Sequence, residues 1–121
     1  MKEITPAQLK DRILSGEPTL LLDVREPHEH DEFDIGGINI PITQLPFRIE
    51  ELKDLGEADI VLYCHSGNRS ALAQKLLAAQ FDIQNTINLV GGMKAWRAES
   101  GEWRMKSEEW KVKNEKWKVI G

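Results

Sequence analysis

The sequence predicts an α/β fold, a mostly parallel sheet with helices on both faces, and three observations carry that prediction. Residues 20–24, 60–63 and 86–90 are short, largely apolar runs that read as buried strands of a parallel sheet. Stretches with apolar residues at helical spacing separate them, so strands and helices alternate along the chain. With 121 residues the chain fits one domain whose core needs no metal or disulfide staple.

Each element has a local reason. Thr5 reads as an N-cap with Pro6 at the first helical position and Gln8 three residues past the cap. Leu9, Ile13 and Leu14 supply that helix with an apolar stripe, and Gly16 ends it. Leu20, Leu21, Leu22, Asp23 and Val24 form the first buried strand, with Asp23 and Arg25 at its carboxyl end. Residues 27–34 read as a short solvated helix; its His28, His30 and Asp34 are not taken for a metal site, because residues two apart on a helix face different ways. A short strand is expected at 38–41. A helix is expected from Leu45 through Leu52, ending before Gly56.

Residues 60–70 organise the rest. Ile60, Val61, Leu62 and Tyr63 form a strand too short and too β-branched for a helix, which sets Cys64 at a carboxyl end, where open α/β sheets bind ligands. His65, Ser66, Gly67 and Asn68 then make a tight loop, and Arg69 opens a helix running to Ala79. A loop between a strand end and a helix start turns successive N–H groups into a shared concavity that favours an anion. A free thiol titrates near ~8.5, and such surroundings lower that value, so Cys64 is the candidate nucleophile. Gly67 lets the backbone come close, and Arg69 is expected to supply fixed positive charge. Beyond this helix come a strand at 86–90, a turn at Gly91 and Gly92, and a helix over 93–100 whose Trp96 reads as core.

These motifs resemble a known family. Cys64-His65-Ser66-Gly67-Asn68-Arg69-Ser70 is similar to the active-site loop of rhodanese-domain sulfurtransferases, C-x-x-G-x-R or a close variant. Leu22-Asp23-Val24-Arg25-Glu26-Pro27 with Ile38-Asn39-Ile40-Pro41 resembles the family's amino-terminal signature, and Gly91-Gly92-Met93-Lys94-Ala95-Trp96 its carboxyl-terminal one. The resemblance spans roughly residues 4 to 100. It implies a rhodanese-like domain over residues 1–101 and a sulfurtransferase that carries sulfur as a Cys64 persulfide. It also implies that His65, Ser66, Gly67, Asn68 and Arg69 hold the substrate, while Asp23, Arg25 and Ser70 brace the site. The family usually has histidine where this chain has Asp34.

Cofactors and metals are not expected. The expected partners are a small anionic sulfur donor such as thiosulfate and an external thiol or sulfur-acceptor protein, because Cys64 is the chain's one cysteine. A net charge of −4 argues against nucleic acid, and no apolar run reaches the ~18 residues of a membrane span. A reactive lone thiol suits a reducing cytoplasm. Two other functions compete. A cysteine phosphatase or arsenate reductase would share the thiolate in an amide-lined loop, but such phosphatases place five residues between Cys and Arg, and here there are four. A non-catalytic or redox-sensing module that binds a protein partner is the alternative from a different class.

Residues 102–121 stand apart. Six Lys or Arg against four Glu give this extension +2 and leave −6 for the remainder. Glu102-Trp103-Arg104-Met105-Lys106 recurs as Glu109-Trp110-Lys111-Val112-Lys113 and more loosely from Lys116. On strands, each Trp would share a face with the Met or Val two residues on, so a small hairpin or meander is expected, either covering the domain or serving as a dimer surface.

Overall fold

The computed structural model describes residues 1–54 and 58–103. The repeat expected beyond Trp103 lies outside them. Five parallel strands form one sheet in the order β1-β5-β4-β2-β3, with β1 at Glu3–Ile4, β2 at Leu20–Asp23, β3 at Ile38–Asn39, β4 at Ile60–Tyr63 and β5 at Thr86–Leu89. The α/β architecture thus matches the sequence reading. Strand β1 was not foreseen: two residues are too few for a periodic signal, and the strand exists by pairing with β5.

Alternation along the central strands divides the core in two. Leu20, Leu22, Ile60, Leu62 and Cys64 face one apolar cluster, together with Leu45, Leu52, Ala73 and Leu77. Leu21, Val61 and Tyr63 face the other, with Leu9, Ile13, Met93 and Trp96. Side chains on a strand point alternately to opposite faces, so a run apolar at every position serves both layers. The first layer contains α3 (Ile49–Lys53) and α4 (Asn68–Phe81); the second contains α1 (Pro6–Leu14) and α5 (Gly92–Ser100). Fully burying one such aliphatic side chain contributes about 1.5–3 kcal/mol before the entropy of ordering it.

The start of α1 has the expected capping box: Thr5 Oγ1 accepts from Gln8 N at 3.2 Å, and Thr5 N donates to Gln8 Oε1 at 3.0 Å. Leu14 corrects the stripe. It is 64 % exposed while Leu9 and Ile13 are buried, because five residues of helix carry Leu14 about 140° round from Leu9. The helix expected over 45–52 is also corrected. It divides into a 3-10 helix at Ile42–Phe47 and α3, since Pro46 donates no N–H and Arg48, at φ −123° and ψ 23°, breaks the helical path between them. Trp96 is 0 % exposed in the second layer, and its Nε1 donates to Trp103 O at 2.9 Å.

Candidate active site

Strands β2 and β4 pair in register, with Asp23 opposite Tyr63, so the chain segments leaving them at Val24 and Cys64 emerge side by side. Past Cys64 the backbone curls through His65 and Ser66 to Gly67, which caps α4 at φ +97°. A β-carbon at Gly67 would lie 3.1 Å from Gly91 N, and the positive φ is a left-handed conformation that glycine adopts without penalty. The curl aims N–H groups inward. Gly67 N donates to Cys64 Sγ at 3.1 Å and Ser70 N at 3.4 Å, and the Ser70 hydroxyl sits 3.4 Å from the same sulfur.

Burial by itself would push the Cys64 thiol up. Hydrogen bonds from the Ser70 hydroxyl and from the backbone N–H groups of Ser70, Gly67 and Ser66 outweigh burial and bring the net shift down. The sulfur therefore sits where negative charge is stabilised by fixed dipoles. The residue is 0 % exposed and belongs to the first apolar layer, while His65, Ser66 and Asn68 are exposed around it.

Two supports of the loop lay beyond the sequence reading. Asn88, on buried β5, sets its Oδ1 beside Ser70 Oγ, whose single proton is shared between that oxygen and the Cys64 sulfur, and its Nδ2 donates to Gly67 O at 3.4 Å. An amide between Ile87 and Leu89 in a buried strand was the one available signal. The second support is the start of α5: Met93 N donates to Cys64 O at 2.8 Å and Lys94 N to His65 O at 2.9 Å. Gly92 allows that approach, since a β-carbon there would lie 2.3 Å from Cys64 O. The Gly91-Gly92 pair, read from sequence as a turn, is thus also the seat on which the loop rests.

The charged residues form a second group. Asp23, 0 % exposed, accepts from Arg25 N at 2.9 Å, from Arg25 Nη2 at 2.8 Å and from Arg25 Nε. His30 Nδ1 lies 2.9 Å from Asp23 Oδ2, and its Nε2 is 3.8 Å from Asp34. The helix expected in residues 27–34 is solvated, with no buried residue, but His30 has an inward contact that the sequence did not show. Helix α2 (Pro27–Glu32) leaves His28 exposed but turns His30 inward, because the carboxylate at the end of β2 lies within its reach. Arg69 has a partner that the sequence did not show. Its guanidinium forms a two-bond pair with Glu29, at 2.8 and 2.9 Å, so its charge is matched by a carboxylate.

Residues 5–99 match the Rhodanese-like domain family. The chain belongs to that family. A sulfurtransferase of Allochromatium vinosum is 34% identical over 97 residues, covering 79% of this chain and 88% of that protein. YrkF of Bacillus subtilis is 34% identical over 99 residues, which is 81% of this chain but 52% of YrkF, so the chain spans about half its length. The crystal structure of a rhodanese-like domain protein from Staphylococcus aureus superposes with a TM-score of 0.71 at 30% identity, covering 87% of this chain and all of that one. As in the rhodanese signature, the loop has Cys64, Gly67 and Arg69 at its first, fourth and sixth positions. Among the described residues no helix is long and apolar enough to cross a membrane, and no three metal-ligating side chains cluster.

Proposed function

We propose that this rhodanese-like domain is a sulfurtransferase in which Cys64 takes a sulfane sulfur from a donor such as thiosulfate and passes it to a thiophilic acceptor. One observation carries the reading: the inward N–H groups of Gly67 and Ser70 converge on Cys64 Sγ at 3.1 and 3.4 Å. The sulfurtransferase name borne by the Allochromatium relative supports it.

The Cys64 thiolate attacks the outer sulfur of thiosulfate. A new S–S bond forms, the old one breaks, and sulfite departs with the bonding electron pair, leaving a Cys64 persulfide anion. The loop N–H groups stabilise that anion as it forms. Cys64 is buried, while His65, Ser66 and Asn68 beside it in the loop are exposed and are the residues a donor meets first. A second thiolate, or cyanide in an assay, then attacks the outer sulfur and releases Cys64, so the cycle is a double displacement. With no second cysteine in the sequence, the acceptor is external: a small thiol or an acceptor protein, in a reducing compartment such as the cytoplasm. Asp23 and Arg25 brace the loop's neighbour strand and take no part in bond making.

Intact-protein mass spectrometry after thiosulfate treatment should show a gain of about 32 Da, removed by cyanide, and Cys64→Ser should lose both the gain and turnover. A Cys64→Ser protein that still turns over would refute the mechanism.

A further inference from the structure

The Arg69–Glu29 pair bears on which donors the cradle accepts. Arg69 sits on the first turn of α4, within Coulombic reach of the Cys64 sulfur, and is the cation the loop sequence supplies. Both of its terminal nitrogens are held by Glu29, from α2, forty positions earlier in the chain. Glu29 is fixed in turn: its Oε1 also accepts from Glu26 N at 3.0 Å, closing the cap of α2. The neighbouring Arg25 is matched by Asp23. Lys94, on α5, whose N–H donates to the loop at His65 O, is exposed, so solvent screens its charge. Among the described residues the cradle is therefore a site of peptide dipoles whose neighbouring arginines are matched by carboxylates, and residues 1–101 sum to −6.

Resting on the sulfur-transfer reading above, we propose that Glu29 is a specificity-determining residue that tunes Cys64 towards singly charged sulfane donors, persulfide anions and organic thiosulfonates, over dianions such as thiosulfate. Glu29 touches no reacting atom. It acts through Arg69, by cancelling the charge that would draw a dianion more strongly than a monoanion.

Thiosulfate and methanethiosulfonate make the test, because they offer the same terminal sulfur and differ by one charge. In each case the Cys64–S bond forms as the donor's S–S bond breaks, with sulfite or methanesulfinate leaving with the electron pair. Glu29→Gln keeps the shape and the acceptor oxygen of the cap while freeing the Arg69 charge. Coulomb attraction scales with donor charge, so kcat/KM should rise about tenfold for thiosulfate and about threefold for methanethiosulfonate, chiefly through KM. Equal gains for the two donors, or equal losses, would overturn the proposal.

The unaltered protein supplies a second test that does not depend on how the variant folds. Its thiosulfate rate should be flat or rise as salt increases, as for an anion approaching a neutral or negative mouth. A steep fall with salt would mean that Arg69 already acts as a free cation, and the idea fails. A 32-Da gain from neither donor sinks the sulfur-transfer reading itself; a gain from both with an unchanged donor ratio sinks only the role of Glu29.

Discussion

Two places that hold negative charge stand side by side at the carboxyl ends of β2 and β4, and they are built of different material. The Cys64 cradle uses peptide N–H groups and one hydroxyl, all from residues within six positions of the sulfur. The Asp23–Arg25 pair and the Glu29–Arg69 pair beside it use full charges brought together from the end of β2, α2 and α4. Dipoles fixed by backbone curvature stay oriented without a counter-ion, so the cradle can accept an anion that comes and goes. The charged pairs are already satisfied, and their work is to hold α2 against the loop. The cradle answers to local geometry and the pairs to tertiary packing, so substitutions in the two should have separable effects.

The largest effect is expected at Asp23. Asp23→Asn leaves the buried Arg25 without its carboxylate, and breaking one side of a buried pair costs about 3–5 kcal/mol. Urea unfolding would measure the loss. If the two places are separable, the pH midpoint for alkylation of Cys64 stays where it is in the unaltered protein. A midpoint that moved along with the stability would collapse the distinction.

The same division explains what the sequence disclosed. The cradle was legible because strand, tight turn and helix start are consecutive, and the curl of residues 64–70 is encoded by Gly67 and its small neighbours. The sheet was legible because the central strands are short runs rich in Leu, Ile and Val, with few polar residues among them. Glu29 was not: nothing in a six-residue acidic helix says that one of its glutamates meets an arginine forty positions on. His30 was misread for a related reason. Helical spacing shows which residues share a face of α2 but not that the carboxyl end of β2 lies beneath that face. Pro46 carried a breaker signal that the apolar pattern from Leu45 to Leu52 masked, and β1 exists only through its partner β5.

Ser70 sharpens the contrast from the cradle's side. Its hydroxyl is the strongest of the influences that lower the Cys64 thiol, and Ser70→Ala should move the alkylation midpoint to higher pH. The change also strips Asn88 Oδ1 of a buried partner, for a cost of about 1–3 kcal/mol. Alkylation rate against pH checks the first expectation and urea unfolding the second. A stability loss with an unmoved midpoint would mean that the N–H groups alone set the state of the sulfur.

The smallest effect belongs to the less buried of the two charged pairs. The Arg69 guanidinium, helped by Glu26 N–H, brings the Glu29 carboxyl from its ordinary 4.5 down to about 2. A carboxyl lowered on folding adds stability that is complete above its ordinary value and fades as pH falls from 4.5 towards 2. Arg69 is 37% exposed and Glu29 23%, so solvent screens the pair and its worth at neutral pH is below about 1 kcal/mol. Glu29→Gln should therefore trail the unaltered protein slightly at neutral pH, and the gap should close through that acid window. A gap above about 3 kcal/mol would place Glu29 in one buried unit with Asp23 and Arg25. Freeing Arg69 would then disturb the frame of the loop, whereas a small gap leaves donor choice as the main thing the pair controls.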